Sequence, residues 1–373
     1  MTSLAKPAVG QTVTDPQFGT TIRRITAVNP AEGDQAVIKP MYSVMPAWNA
    51  DESKLILYHV GKGQELYDGK TYAFIRDLNI TPTDIEQILW DPVDPDVFYY
   101  PSNYNALPIL KMYRVSTDTS TDVADFRTAP TNCPVDWGNL LSLGSDPQYM
   151  SWGSPSKIIG LQCGNKKIVY DITHHTVLGV KSFTSTNAPI VAPSGTLVYI
   201  DGGVYDTGLN LLRSLNIANP DEHSSLGLNA SGDTHNAVSF DDAVNGNLLT
   251  RSLSTGAVKV IIGPSAGYPG YPRTGTHISG NATKVSGWVA ESIVGDTSGK
   301  GLLDQEILLA NTNTGAVCQV AHHRSFAGDG NWGYWAEPHA NLSPSGTRIV
   351  FASDWGNGTT VDTYVVELPS YHP

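Results

Sequence analysis

Short apolar segments preceded by turn sequences recur along the whole chain, and this repeat constrains the fold more than any other feature of the sequence. Turns rich in Pro, Gly and Asp, such as residues 91–95 and 343–346, precede short runs of β-branched and aromatic residues, such as 97–100 and 348–352. No long stretch has apolar residues at the spacing of an amphipathic helix. The pattern therefore predicts an all-β protein built from many short strands.

The repeat consists of seven units that start 39 to 62 residues apart. A unit of roughly 40–50 residues with three or four strands is typical of a β-propeller blade. The last unit has room for only three strands, and residues 20–28 can supply the fourth, which closes the ring without an open sheet edge. We therefore predict a single seven-bladed β-propeller domain over residues 1–373, since a pair of β-sandwiches leaves the period unexplained. The units begin near Met45, Gln87, Tyr149, Ala188, His235, His277 and His339.

Composition narrows the possible partners and compartments. The chain has 35 acidic and 23 basic residues, a net charge of −12, so it lacks the basic surface that nucleic acids or anionic membranes require. No apolar run is long enough to span a membrane, and the first residues do not form a signal peptide. We expect a monomer, secreted or periplasmic with its leader removed rather than cytoplasmic. The three cysteines allow at most one bridge, and we expect them to pack as small hydrophobic residues.

Three histidines occupy the same position in consecutive units. His235, His277 and His339 each lie four residues before the Ser or Asn that opens a turn. The first strand of every propeller blade lines the central channel, so equivalent residues of neighbouring blades form a ring around the axis. We expect the three imidazoles to converge on one small volume. His174 and His175 are predicted to lie on the surface, and His223 and His372 carry no signal.

Converging imidazoles can bind a divalent metal or divide into metal ligands and a general base. Glu337 lies two residues before His339, which places both side chains on one face of a strand and makes Glu337 a further candidate ligand. Manganese, calcium and zinc are the candidate metals. Propeller channels are often polar, so a purely structural role for these histidines is the alternative. Motifs for nucleotides and for activated serine are missing, and no organic cofactor is expected.

The loops that lead into these strands combine aromatic and cationic residues. Aromatic rings can stack on the apolar face of a sugar, and an Arg can bind a carboxylate with two hydrogen bonds. This combination suits an acidic oligosaccharide or polysaccharide, although Trp and Tyr also serve as packing residues between blades. The candidate substrate-binding residues are Arg273, His322, Arg324, Trp332, Tyr334 and Trp335.

This arrangement resembles the polysaccharide lyases of propeller fold, above all oligogalacturonate lyase, with the ulvan and rhamnose–glucuronate lyases as relatives by fold and chemistry. In that family a base His, a metal-binding His one blade later and a closing His-rich motif follow in this order. The closing motif is His-Pro-His with a Gln three residues upstream, whereas this chain has Glu337-Pro338-His339 and Tyr334. The resemblance also implies a catalytic Arg about two dozen residues before the base, where this chain has Arg213.

The resemblance implies cleavage of a uronic-acid-containing glycan by β-elimination. His235 would remove the C5 proton, while a metal held by His277, His339 and Glu337, or an Arg, would neutralise the uronate carboxylate. Three alternatives remain open: a propeller that binds glycans or proteins without catalysis, a propeller-fold glycoside hydrolase, and a metal-dependent hydrolase. A glycoside hydrolase would need two opposed carboxylates in the channel.

Overall fold

Seven antiparallel sheets form the ring of a β-propeller. The computed structural model describes residues 1–143, 151–185, 187–217, 223–238, 248–268, 276–327 and 330–370, and helix is limited there to short 3-10 turns. The predicted all-β, seven-bladed fold is confirmed. Within the described ranges, no helix is long and apolar enough to cross a membrane.

The first three blades follow the chain order of their strands from the ring axis outward. In the third blade the described strands are three, and a bridge between Ser142 and Gln162 marks the innermost position. The strands of these blades are β3 (Ile38–Lys39), β4 (Lys54–His59), β5 (Gly63–Asp68) and β6 (Phe74–Asp77) in blade 1; β7 (Leu89–Trp90), β8 (Val97–Pro101), β9 (Ile109–Arg114) and β10 (Thr119–Asp125) in blade 2; and β11 (Ile158–Cys163), β12 (Lys166–Asp171) and β13 (Thr176–Ser182) in blade 3.

The remaining blades repeat this order, except that the last one contains strands from both ends of the chain. They comprise β14 (Ile190–Val191), β15 (Leu197–Ile200), β16 (Gly203–Asp206) and β17 (Leu211–Ser214) in blade 4; β18 (Ser224–Asn229), β19 (Gly232–Ala237), β20 (Leu248–Ser252) and β21 (Val258–Ile262) in blade 5; β22 (Thr276–Ser279), β23 (Trp288–Ile293), β24 (Glu306–Asn311) and β25 (Val317–His322) in blade 6; and β26 (Asn341–Leu342), β27 (Arg348–Ser353), β28 (Asp362–Glu367), β2 (Thr21–Arg24) and β1 (Thr12–Thr14) in blade 7.

The amino-terminal strand closes the ring as predicted. Strand β2 pairs antiparallel with β28 along its whole length, from Thr21 opposite Glu367 to Arg24 opposite Tyr364. Ile22 of β2 is fully buried in the cluster that fills blade 7 and its boundary with blade 6. A side chain from the first residues of the chain thus completes the packing of the last blade.

Each outermost strand is followed by a loop that crosses one face of the ring to reach the innermost strand of the next blade. We call this the upper face, and we call the space bounded by the innermost strands the hub. All innermost strands begin at the upper face, because every blade has the same antiparallel order. The turns between the first and second strands of each blade lie at the opposite, lower face.

Blade 5 begins earlier in the chain than predicted. Its innermost strand is β18, which contacts the innermost strand β22 of the next blade. His235 lies on β19, the second strand, where it pairs with Leu226 of β18 and Arg251 of β20. The expectation that His235 shares the innermost position with His277 and His339 is therefore wrong.

Two of the three cysteines form a bridge, which corrects their interpretation as merely small hydrophobic residues. Cys133 lies in the loop between blades 2 and 3, and its disulfide joins this loop to Cys163 at the end of β11. Cys318 is a free, exposed thiol on β25. The bridge therefore fixes a loop of the upper face to the hairpin beside it.

Candidate functional site at the hub

Two histidines and a glutamate meet where blades 6 and 7 face the hub. His277 Nε2 lies 3.7 Å, and His339 Nε2 3.3 Å, from the same carboxylate oxygen, Oε2 of Glu337. The two imidazole rings have centroids 4.2 Å apart in an edge-to-face arrangement. The predicted convergence is therefore seen for His277 and His339, together with Glu337.

Local structure explains why these side chains point to one place. His277 is the second residue of β22, and His339 lies two residues before β26, so both stand at the upper end of an innermost strand. Glu337 directly follows the 3-10 turn Gly333–Ala336, and its side chain projects to the same side as that of His339, two residues away. His339 has a φ of 42°, in the left-handed region that costs a residue other than glycine free energy. The packing around it therefore holds a strained conformation at the site.

Burial controls the protonation of these three groups. Desolvation lowers the pKa of both imidazoles well below its usual value, with smaller contributions from His223 and from the ammonium of Lys39. Burial also raises the pKa of Glu337, and the charges of Lys39 and His223 oppose this rise. At neutral pH both imidazoles therefore keep a free electron pair, which is the form that binds metals.

The three side chains fit a divalent metal. One donor atom from each lies within 4.8 Å of the other two. Two donors that are each roughly 2.1 Å from a common metal lie about 3–4 Å apart, close to the separations found here. Two neutral imidazoles and a carboxylate suit manganese, iron or zinc better than calcium, which prefers oxygen ligands throughout.

A third imidazole, that of His223, completes the cluster. His223 directly precedes β18, and its ring stacks on that of His277 with centroids 4.2 Å apart and an interplanar angle of 23°. Its Nδ1 is within hydrogen-bonding distance of the carbonyl oxygen of Thr276. A carbonyl only accepts, so Nδ1 carries the proton and Nε2 is the basic nitrogen. The sequence interpretation assigned no signal to His223, and this is corrected.

His235 lies outside this cluster. Its side chain is only 2% exposed, and its ring stacks on Tyr199 of blade 4 with centroids 4.5 Å apart. Within the described residues neither ring nitrogen has a hydrogen-bond partner. Burial, with a smaller contribution from Arg251, lowers the pKa of His235 to about 3. His235 is therefore a neutral group packed between two blades.

The predicted arginines do not meet at the hub. Arg213 lies on β17, the outermost strand of blade 4, and donates to the carbonyl oxygen of Ser254 in the next blade. Arg324 is buried and binds Asp15 of the amino-terminal segment at 3.0 Å. The backbone N–H of His322 donates to the same carboxylate oxygen at 3.0 Å. Arg273 lies outside the described residues.

The predicted aromatic residues divide into packing and exposed positions. Trp332 donates its indole N–H to the carbonyl oxygen of Gly358, and Trp335 stacks on Tyr58 of blade 1. Tyr334 is the exposed member of the three, and its ring packs edge-to-face against His339 with centroids 5.1 Å apart. It is therefore the member of this group that borders the cluster.

Two charged residues at the same place escaped sequence reasoning. Lys39, on the innermost strand of blade 1, is buried with Nζ 4.6 Å from the centre of the Tyr334 ring. Desolvation lowers the pKa of Lys39 to about 7, and the carboxylates of Glu337 and Glu86 oppose this change. Glu86 accepts a hydrogen bond of 2.9 Å from the Tyr334 hydroxyl across the mouth of the hub. These contacts could not be predicted from sequence, since Lys39, Glu86 and Tyr334 belong to three different blades.

Tyr42 packs against two of the histidines. Its ring packs edge-on against His277 and His339, with centroids 5.2 Å and 4.6 Å away. Asn341 holds the segment that contains Tyr42 by donating to the carbonyl oxygens of Tyr42, Ser43 and Met45. Asn341 of blade 7 thus holds the segment that follows β3 of blade 1, and Tyr42 in that segment restricts the orientation of both imidazole rings.

Comparison with solved structures shows which proteins have a similar fold. No family model matches the sequence, and no curated relative matches it either. The chain superposes on an oligogalacturonate lyase in complex with manganese with a TM-score of 0.64 at 14% identity, covering 96% of both chains. It superposes on the oligogalacturonate lyase of Vibrio parahaemolyticus with a TM-score of 0.65 at 12% identity, covering 96% of this chain and 97% of the other. In fold, the chain is an oligogalacturonate lyase-like β-propeller.

Proposed function

We propose that this protein is a polysaccharide lyase that cleaves a uronic-acid-containing glycan by β-elimination. The observation that supports this most is the cluster of His223, His277, His339 and Glu337 at the hub, where a potential base adjoins a potential metal site. The likeness of the fold to oligogalacturonate lyases, one of them bound to manganese, points to the same reaction class.

The reaction needs a base and a cation together. The C5 proton of a uronate is only weakly acidic while the neighbouring carboxylate keeps its negative charge. A bound divalent metal would neutralise that carboxylate and stabilise the developing enolate. His277 and His339 would hold the metal through Nε2, and Glu337 through a carboxylate oxygen.

His223 replaces His235 as the proposed base. It adjoins the metal ligands through His277, it is partly exposed, and its hydrogen bond to Thr276 fixes the tautomer with a free electron pair on Nε2. An imidazole in this orientation can accept the C5 proton at Nε2. The departing O4 would take its proton from Tyr334, from a second His or from water.

The charges around the cluster support a role for a metal in binding an acidic substrate. Among the described residues, Glu337 and Glu86 bring two carboxylates to the mouth, whereas Lys39 brings one buried cation. Since Arg213 and Arg324 bind elsewhere, they would not offset this excess of negative charge. A uronate would therefore enter a site made favourable by a divalent metal.

The test measures formation of the C4–C5 double bond by its ultraviolet absorbance. The protein, loaded with Mn²⁺, is incubated with polygalacturonate, pectin, ulvan and gum arabic. His223→Gln should lower kcat by a factor of about 10²–10⁴, the usual contribution of a general base. His235→Gln serves as the matched control and should keep most of the activity when its folding is confirmed by circular dichroism.

If His235→Gln were inactive and His223→Gln active, the base would be His235 and not His223. No unsaturated product from any of these glycans would contradict the lyase proposal itself.

A glycoside hydrolase is the second candidate, because Glu86 and Glu337 both lie close enough to Lys39 to affect its pKa. Two carboxylates at one mouth are the minimum for acid-catalysed glycoside hydrolysis. This candidate predicts new reducing ends without a double bond, and Glu86→Gln should then abolish them. Counting reducing ends and double bonds in the same reaction separates the two functions.

A further inference from the structure

Three aromatic side chains stand out of the upper face of the propeller. Trp137 is 68% exposed, Tyr104 is 61% exposed, and Tyr334 at the mouth of the hub is 43% exposed. Within the described residues one other Phe, Tyr or Trp ring is exposed to this degree, that of Phe74. Phe74 follows the turn between β5 and β6, which lies at the lower face. Strongly exposed rings are therefore concentrated on the face that carries the histidine cluster.

The Tyr104 ring is presented by a rigid and strained turn. Tyr104 lies in the loop between β8 and β9, and its backbone N–H donates to Ser102 Oγ at 3.2 Å. The next two residues, Asn105 and Ala106, have φ angles of 53° and 54°, a conformation that favours glycine. Backbone strain of this kind persists where the surrounding structure enforces it, and it is concentrated at functional sites.

The Trp137 ring is presented by a loop that is fixed on both sides. Before it, the disulfide of Cys133 and two hydrogen bonds from Lys166 Nζ to loop carbonyls tie the chain to blade 3. After it, the carboxylate of Asp136 accepts the backbone N–H of Gly138 at 3.0 Å and closes a tight turn. The indole therefore projects from an ordered support into solvent.

These two loops are neighbours, and they connect to the hub. The backbone N–H of Phe126, in the Trp137 loop, donates to the carbonyl oxygen of Pro108, in the Tyr104 loop. The backbone N–H of Asn103 donates to Thr81, in the segment that leads to Glu86. Glu86 in turn accepts the hydroxyl of Tyr334 at 2.9 Å. A continuous strip of the upper face thus runs from the cluster over blade 2.

A large aromatic ring that stays in contact with water forgoes the free energy that burial would provide. Nothing in the fold requires these rings to be exposed. Flat aromatic rings stack on the apolar face of a pyranose, and the polar neighbours Asn103, Asn105 and Asn139 can bind its hydroxyls. A protein partner would instead favour a contiguous apolar patch of several hundred Å², whereas the described part of these two loops has only Tyr104, Val135 and Trp137 as exposed large hydrophobic residues. A polymeric glycan suits a few separate rings better than a protein partner does.

We propose that Tyr104 and Trp137 form an outlying subsite for a glycan chain whose reacting unit lies at the histidine cluster. This inference rests on the proposed function, because it extends the same substrate over blade 2. It explains why the exposed rings lie on one face. It also assigns a purpose to the disulfide-bound loop.

The test separates binding of the polymer from catalysis. Tyr104→Ala, Trp137→Ala and the double variant are compared with the wild-type protein by electrophoresis in gels that contain polygalacturonate or ulvan. Each single variant should weaken retention by about three- to tenfold, the usual contribution of one stacked ring. Trp137→Phe should keep most of the retention, and Phe74→Ala, an equally exposed ring on the lower face, should keep all of it. In turnover, KM for the polymer should rise while kcat/KM for a trisaccharide stays unchanged.

Retention of Tyr104→Ala and Trp137→Ala equal to the wild type would overturn the subsite, as would an equal loss in Phe74→Ala. A wild-type protein that neither gel retains would overturn it as well. Retention without cleavage, weakened by Trp137→Ala, would instead support the subsite and contradict the proposed lyase activity.

Discussion

Glu337 decides how the candidate metal site responds to pH, because the two imidazoles beside it are already held neutral. Burial keeps the pKa of His277 and His339 far below its ordinary value of 6.5. Burial also raises the pKa of Glu337 above its ordinary 4.5, so on acidification the carboxylate is expected to gain a proton first. Protonation of Glu337 is therefore expected to set the lowest pH at which the site binds a metal.

Mn²⁺ affinity of the wild-type protein should be highest where Glu337 is ionised and should fall on acidification as Glu337 is protonated. Glu337→Gln removes the anionic ligand and should raise the dissociation constant for Mn²⁺ by at least about hundredfold at pH 7, since even outer-shell changes cost ten- to hundredfold. Isothermal titration calorimetry measures both effects. Glu86→Gln, at the same mouth but outside the donor set, is the control. A fall in affinity centred on the usual pKa of imidazole would show that the histidines set the limit instead.

At the scale of elements, two connecting segments are held by interactions other than strand pairing. The Cys133–Cys163 bridge fixes the loop that enters blade 3, and Asp15 anchors the amino-terminal segment to the end of β25 through His322 and Arg324. Both interactions join parts of the chain that strand pairing alone leaves loose. The disulfide and the Asp15 interactions should therefore each stabilise the fold independently of the other.

Replacing Cys133 and Cys163 together by Ser should lower the free energy of unfolding by about 3–4 kcal/mol, because the bridge closes a loop of 30 residues in the unfolded chain. Urea denaturation measures the change, and dithiothreitol should reproduce it in the wild-type protein. Cys318→Ser removes the free, exposed thiol and should leave stability unchanged. An unchanged urea midpoint after reduction would contradict the stabilising role of the bridge.

Asp15 links stability to pH with a defined sign. Burial would raise its pKa, but hydrogen bonds from His322 and the charge of Arg324 outweigh burial and bring the pKa below its ordinary 3.8. A lowered folded-state pKa stabilises the fold above pH 3.8 and loses this effect as pH falls below it. Asp15→Asn should therefore destabilise the protein by about 3 kcal/mol at pH 7, because it leaves a buried guanidinium unpaired.

Denaturation at pH 7 and at pH 3 tests this linkage, and the difference between wild type and Asp15→Asn should shrink at the lower pH. The exposed carboxylate of Asp136 supplies the control, since Asp136→Asn should show no comparable change. A difference that is the same at both pH values would mean that packing, rather than charge, makes Asp15 important.

For the whole molecule, closure of the ring is the feature on which the position of the cluster depends. The histidines come from blades 5, 6 and 7, and blade 7 is completed only when β2 pairs with β28. An open blade 7 would expose the edge of β28 and loosen the support of His339 and Glu337. A change that opens the ring is therefore expected to disturb the geometry of the site as well.

Ile22→Asp places a charge in the buried cluster of blade 7 and should destabilise the protein by at least about 3 kcal/mol. Size-exclusion chromatography should also detect aggregates formed through the exposed strand edge. Val9→Asp changes a half-exposed residue of the same segment and should have little effect. Equal stability of the two variants, measured by thermal unfolding, would show that the ring does not need its amino-terminal strand.

Local patterns determined most of the fold. Alternation of apolar runs with Pro-, Gly- and Asp-rich turns specifies short strands, and their repeat specifies blades, because both depend on residues close together in sequence. The same patterns place His277, Glu337 and His339 at the start of innermost strands, since a turn sequence follows each histidine at a fixed distance. This part of the candidate site could be predicted without coordinates.

Tertiary structure alone decided which histidine of blade 5 reaches the hub. His223 directly precedes the β18–β19 hairpin and His235 lies within β19, and the repeat in the sequence does not show which of the two strands faces the hub. The contact of β18 with β22 makes β18 the inner strand, which brings His223 onto His277 and leaves His235 between blades. Lys39, Glu86 and Tyr334 likewise meet only because the curvature of the ring brings blades 1, 2 and 7 together. Contacts between distant parts of a chain depend on how whole sheets pack, which the order of residues in any one segment does not encode.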